Sequence, residues 1–248
     1  MTAPLLIDTA DGVTTITLHR PEALNAITPE MLEALDVAIM TADEDPDVLV
    51  VVLTGTGRAF SAGVDLKALG GRDLADGIVG DLLDVPARKV THRLSSMSTV
   101  SIAKVNGHCF TGALELALAC DLMVTANEAK LGDTHAKFGL RPTWGMSQRL
   151  PRAVGRARSR ELSMTARVFS GTEAAEMGMA CRSVPATELD AVVDDLAGAI
   201  TANSAGSLAA YKDLYAASER LGLDDGLAYE AATTYRISDT KQRLAGFR

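Results

Sequence analysis

Three stretches of the chain set glycines beside residues that move protons or meet anions. They are Arg58-Ala59-Phe60-Ser61-Ala62-Gly63-Val64-Asp65-Leu66, Val105-Asn106-Gly107-His108-Cys109-Phe110-Thr111-Gly112-Ala113-Leu114-Glu115-Leu116, and Gly132-Asp133-Thr134-His135-Ala136-Lys137-Phe138-Gly139-Leu140-Arg141-Pro142. Each reads as a turn from a strand into a helix. The first N–H groups of a helix lack intrahelical partners and can hold an anion, and glycine lets a ligand approach the backbone. Carboxylates and imidazoles within these stretches are the groups that exchange protons near neutral pH. Together they suit a reaction in which amides hold charge growing on an oxygen while side chains move protons. One such turn alone is equally at home in an ordinary loop. Asp65 also reads as a cap for its own turn, Glu115 as an acid facing the positive end of a helix, and Asp133 as a loop-fixing residue.

The elements that must position these turns are legible in the hydrophobic pattern. Val13 to Leu18 alternates, with Ile16 and Leu18 on one face and Thr15 and Thr17 on the other, which predicts a half-buried strand. Thr28-Pro29-Glu30 has a hydroxyl cap, a first-turn proline and an early acid, and Leu32, Leu35, Ile39 and Ala42 follow at helical spacing. Val48 to Leu53 is apolar on both faces, as a strand covered on both sides must be. Leu83, Val90, Leu94 and Met97 predict a helix, Ser101 to Val105 a strand, Gly112 to Ala119 a helix and Leu122 to Thr125 a strand. Strand and helix alternate, so the class is α/β. Beyond Pro185 the chain becomes Ala-rich and helical, with candidates over Ala191 to Ala202 and Ser207 to Ala217.

Composition narrows the partners. The 248 residues are 47% hydrophobic, enough for a sizeable core without disulfides. A net charge of −8 argues against nucleic acid and anionic membranes, since phosphates are repelled overall. Cys109, Cys120 and Cys181 form no CxxC pair and no zinc spacing, so buried free thiols and a reducing compartment are expected, with no metal. The first residues lack the pattern of a signal peptide, and no apolar run nears the roughly 20 residues of a membrane helix, so a cytoplasmic protein is expected.

The order and spacing of the turns resemble the crotonase family, the enoyl-CoA hydratase/isomerase superfamily. The resemblance rests on Leu18-His19-Arg20-Pro21-Glu22-Ala23-Leu24-Asn25-Ala26, on the Ala59 to Leu66 and Val105 to Leu122 runs, and on Gln148-Arg149-Leu150-Pro151-Arg152-Ala153-Val154-Gly155. It implies a spiral of β-β-α units over residues 1–185 and a helical oligomerisation region over 186–248, giving a homotrimer or a dimer of trimers. It implies an acyl-CoA thioester substrate, with coenzyme A entering as part of that substrate and no separate cofactor. Two backbone N–H groups of the family hold the thioester oxygen, and by position these fall on Ala62 and Gly112. Coenzyme A contacts fall on Arg20, Ala23, Leu24, Ala26, Ala62, Gly63, Asp65 and Leu66, with Arg20 read either as a phosphate partner or as an unpaired surface arginine.

Hydratases of the family resemble one another in having two glutamates. The first maps onto Glu115, whereas the second falls on His135, which can replace it as acid or base; Asp133 is the other candidate. His108, Phe110 and Trp144 are expected to line the acyl pocket. The stretch Thr143-Trp144-Gly145-Met146 departs from the glycine-richer family version, so that Trp144 and Met146 narrow the pocket or simply pack in the core. The implied activity is addition of water to a 2-enoyl-CoA in fatty-acid metabolism. Double-bond isomerisation, decarboxylation and thioester hydrolysis use the same oxyanion chemistry, and an acyl-CoA-binding protein without turnover is the alternative of a different class. A dinucleotide-binding reading fails for want of GxGxxG after the first strand, and a serine hydrolase reading for want of GxSxG.

Overall fold

The computed structural model describes residues 3–67 and 75–246. The chain opens with a hairpin of β1 (Leu5–Ala10) and β2 (Val13–Leu18), followed by α1 (Pro29–Glu44). Three repeats of strand, strand and helix follow. The first is β3 (Val50–Gly55), β4 (Ala59–Ser61) and α2 (Asp81–Ser96); the second is β5 (Val100–Val105), β6 (His108–Phe110) and α3 (Gly112–Ala117). The third is β7 (Leu122–Ala126), β8 (Lys130–Gly132) and the pair α4 (Met146–Val154) and α5 (Arg156–Thr165). Then come β9 (Phe169–Ser170), α6 (Gly171–Glu176), β10 (Arg182–Val184) and four helices, α7 (Leu189–Thr201), α8 (Ala205–Ser218), α9 (Leu223–Ala232) and α10 (Thr240–Ala245).

The first strand of each repeat joins a six-stranded sheet of order β1-β2-β3-β5-β7-β10, and the second joins a four-stranded sheet of order β4-β6-β8-β9. Each repeat therefore adds one rung to both sheets, and the chain winds as a spiral of β-β-α units. Because β4, β6 and β8 are parallel neighbours, the turns that leave them lie side by side at one edge. These are the three glycine-containing turns. Local sequence supports the frame: the Thr28 hydroxyl accepts the Met31 N–H at 3.2 Å, and Leu32, Leu35, Ile39 and Ala42 are all buried. Leu83, Val90 and Leu94 form the buried stripe of α2.

β1 has no amphipathic signature, because it is an edge strand with five of its six residues exposed, and it is held by pairing with β2. Within the region expected to carry the oligomer contacts, the apolar residues of α7 face inward: Leu189 and Val193 are buried, and Val192, Leu196 and Ile200 pack against the main core. The exposed large apolar residues on α8 to α10 themselves are Tyr211, Tyr215, Leu223, Leu227 and Leu244. The junction at 185/186 falls in the short connection from β10 to α7, and α7 shares the core of the spiral. Of the cysteines, Cys109 is buried and Cys120 half-buried, whereas Cys181 is exposed, because it stands just before β10 on the sheet edge. Among the described residues no helix is long and apolar enough to cross a membrane.

Candidate active site

The entry segment and the first glycine turn are laced into one unit. Asn25, fully buried with φ 55°, accepts the Arg20 N–H on Oδ1 at 2.9 Å and donates Nδ2–H to the carbonyls of Thr56 at 3.0 Å and Ala59 at 2.8 Å. Ile27 N–H donates to Gly63 O at 2.8 Å and Asp65 N–H to Ile27 O at 2.9 Å. Arg20 is neither unpaired nor turned to solvent. Its Nη1 donates to Ala26 O at 2.6 Å and its Nη2 lies 3.0 Å from Asp65 Oδ2, so the guanidinium braces the two turns. Ala23 sits in a 3-10 turn with Leu24 as its left-handed cap.

This lacing changes which amide of the first turn is free. The Ala62 N–H, expected to hold the thioester oxygen, donates to Leu24 O at 2.9 Å, and the Gly63 N–H donates to Ser61 Oγ at 3.1 Å. Among the described residues the Val64 N–H has no protein acceptor. The Gly112 N–H, first of α3, has no intrahelical acceptor either. Close approach of the two turns brings these amides together. Gly63 has φ 92°, and a Cβ there would stand 2.4 Å from Thr111 Oγ1 and 2.8 Å from Phe110 O. A Cβ on Gly112 would stand 2.4 Å from Trp144 Cζ3, so the indole lies directly on the second turn. Both glycines are required by contact. The pair of free donors is therefore Val64 and Gly112.

A cavity of about 130 Å³ opens at this point, lined among others by Ala62, Val64, Gly112, Glu115, His135 and Trp144. Leu66 also lines it, and Phe138 and Arg141 stand exposed on its walls, both passed over by the sequence reading. His108 and Phe110 do not line it, contrary to expectation. Residues two apart on a strand share a face, and on β6 these two stack on each other at 5.7 Å between ring centroids while Cys109 turns into the core.

Glu115 projects from the first turn of α3 and is 1% exposed. Its Oε1 accepts the N–H groups of Trp144 at 3.0 Å and Met146 at 2.8 Å. Its Oε2 lies 3.6 Å from His135 Nε2, beyond hydrogen-bond reach, so the two groups face a common point. Behind His135, its Nδ1 lies 2.6 Å from Asp133 Oδ1. Burial alone pushes Asp133 up, but hydrogen bonds from His135 and Ser163 outweigh it and hold the carboxyl below its ordinary range. An ionised Asp133 only accepts, so Nδ1 carries a proton and Nε2 is left for exchange with the pocket. Burial holds the Glu115 carboxyl above the usual carboxylate range, although the Met146 N–H, His135 and the Trp144 N–H pull it down. The cavity thus gathers a raised carboxyl, an imidazole fixed from behind and two free amides, groups able to exchange protons and to hold charge on an oxygen. Among the described residues no three side chains of the metal-binding types converge on one point.

Residues 8–248 match the family model for enoyl-CoA hydratase/isomerase. The chain is 32% identical over 246 residues to a probable enoyl-CoA hydratase of Mycobacterium bovis, covering 98% of this chain and 94% of that one. It is 34% identical to a probable peroxisomal enoyl-CoA hydratase of Arabidopsis thaliana, covering 94% of this chain and 86% of the relative. Among solved structures, the enoyl-CoA hydratase of Bacillus anthracis superposes with a TM-score of 0.89 at 31% identity, covering 99% of this chain and 95% of the other. The match runs through every element that builds the pocket, and the chain belongs to the enoyl-CoA hydratase/isomerase family.

Proposed function

We propose that this protein is an enzyme that adds water to a 2-enoyl-CoA thioester, with coenzyme A arriving as part of the substrate and no resident cofactor. The observation that carries the reading is the pair Glu115 Oε2 and His135 Nε2, 3.6 Å apart at the mouth of two free amides. Ionised Glu115 takes a proton from water as its oxygen bonds to C3. The C2–C3 double-bond electrons move toward the thioester oxygen, which the Val64 and Gly112 N–H groups hold. Protonated His135, its charge balanced by Asp133, gives its Nε2 proton to C2 and the carbonyl re-forms. Proton transfer from Glu115 to His135 resets the site. One such donor is worth roughly 2.7–4 kcal/mol in other oxyanion holes.

A carboxylate this buried and held above its ordinary range costs stability, and a protein that only bound acyl-CoA needs no such group. Incubation with four-carbon 2-enoyl-CoA and 3-enoyl-CoA thioesters, followed by mass analysis, tests the assignment. Hydration adds the mass of one water to the 2-enoyl substrate. Conversion of the 3-enoyl thioester at constant mass, with no hydrated product, makes the protein an isomerase.

The protein also fits the cytoplasm and a homotrimer or dimer of trimers. Three unpaired thiols suit a reducing compartment. Exposed Tyr211, Tyr215, Leu223, Leu227 and Leu244 offer α8 to α10 as the contact surface. Light scattering at micromolar concentration is expected to give three or six chains; a monomer contradicts this assembly.

A further inference from the structure

Trp144 is pinned at three points. Its backbone N–H holds Glu115, its carbonyl accepts Arg149 Nη1 at 2.9 Å, and its indole N–H donates to Asp84 Oδ1 at 2.8 Å. Asp84 comes from the first turn of α2 and is 2% exposed. The same Oδ1 accepts the Thr143 hydroxyl at 2.6 Å, so this buried carboxylate serves the 143–144 loop. The proton transfers described above use neither Asp84 nor the indole. The ring itself lies on Gly112 and lines the cavity, while Trp144 as a whole is 3% exposed.

We infer that Trp144, fixed by Asp84, is the end wall of the acyl pocket and restricts the protein to short acyl chains; the inference rests on the acyl-CoA reading above. An apolar cavity of about 150 Å³ holds a benzene ring. This cavity is about 130 Å³ and must also hold the thioester carbonyl. Room remains for a chain of roughly four carbons beside that carbonyl, fewer than the six of that ring. The wall is stiff as well as close. Moving the indole aside to admit more methylenes breaks a charge-assisted bond to a buried carboxylate and leaves that carboxylate short of a donor. It also drags on the backbone N–H that orients Glu115. Asp84 is thus a positioning residue for chain length, acting through Trp144.

Calorimetric binding of butyryl-CoA and decanoyl-CoA to the full-length protein reads this directly, because it needs no turnover. Wild type is expected to prefer butyryl-CoA by at least roughly tenfold, the low end for misfit in an apolar pocket. Trp144→Ala and Asp84→Ala are expected to remove most of that preference, chiefly by tightening decanoyl-CoA. Asp84→Asn keeps an accepting oxygen and is expected to retain it. Circular dichroism checks folding, and Trp144→Phe, expected to give a smaller shift in the same direction, serves if Trp144→Ala does not fold. Equal binding of both thioesters by wild type, an unchanged preference in a folded Trp144 variant, or a parallel loss of both thioesters overturns the proposal. Failure of wild type to bind either thioester overturns it together with the acyl-CoA reading. Length-selective binding without hydration of any 2-enoyl-CoA removes the hydratase assignment and leaves the end wall standing.

Discussion

Glu115→Gln is expected to leave a folded protein that is more heat-stable at neutral pH and roughly 10²–10⁴-fold slower in hydration, the usual worth of one acid or base. The amide keeps an oxygen for the Trp144 and Met146 N–H groups, so the local geometry survives. What disappears is the charge. Burial places the Glu115 carboxyl above its ordinary range, so the folded chain binds that proton more tightly than the unfolded chain. Ionising Glu115 therefore costs stability. The cost begins as pH rises past the ordinary glutamate pKa, grows through the raised folded value and is constant above it. The variant's gain in Tm is accordingly larger at pH 8 than at pH 4. Each kcal/mol corresponds to roughly 2–4 °C in a domain of this size. The same shift sets the acid limb of the wild-type pH–rate profile above the usual glutamate range, since only ionised Glu115 can take the proton from water. A variant with normal turnover removes Glu115 from the chemistry, and one no more stable at pH 8 than at pH 4 removes the burial argument.

His135→Ala is expected to cost a comparable 10²–10⁴-fold in turnover. If His135 only lined the pocket, the change would alter KM and leave kcat in place. His135→Glu alone does not simply restore the family's two carboxylates. Asp133 already lies 2.6 Å from the imidazole, and a glutamate there meets a like charge in a buried site. Rescue is expected from His135→Glu combined with Asp133→Asn, measured as recovery of hydration over His135→Ala. Failure of the double variant together with normal turnover of His135→Ala contradicts the acid–base role.

The frame of the site was legible because most of its elements bury one face or both. The alternation of Val13 to Leu18, the Thr28 cap and the all-apolar Val50 to Leu53 each record a local constraint. His135 and Asp133 were also in view, but as alternatives for one role and not as the hydrogen-bonded pair that the structure shows. The free amide was not in view. Whether Ala62 or Val64 offers its N–H depends on Leu24 O, which belongs to a distant segment and leaves no local mark at residue 62. Asp84 escaped for the same reason: a carboxylate in the first turn of a helix reads as a dipole partner until the indole of Trp144 is seen against it. His108 and Phe110 were misplaced by position in a motif, where strand alternation around the buried Cys109 sets them together on another face. The helix over Ala191 to Ala202 was legible, but nothing within a helix states whether its apolar side meets its own sheet or another chain.

The most direct test of the central claim follows the atoms of the added water. Wild-type protein is incubated with a four-carbon 2-enoyl-CoA in ¹⁸O-labelled D₂O, and the product is analysed by mass spectrometry and NMR. The site described here predicts one labelled oxygen at C3 and one deuterium at C2, formed at a rate that falls in both Glu115→Gln and His135→Ala. Unchanged substrate, deuterium uptake with no labelled oxygen, or hydration at the wild-type rate in both variants would contradict it.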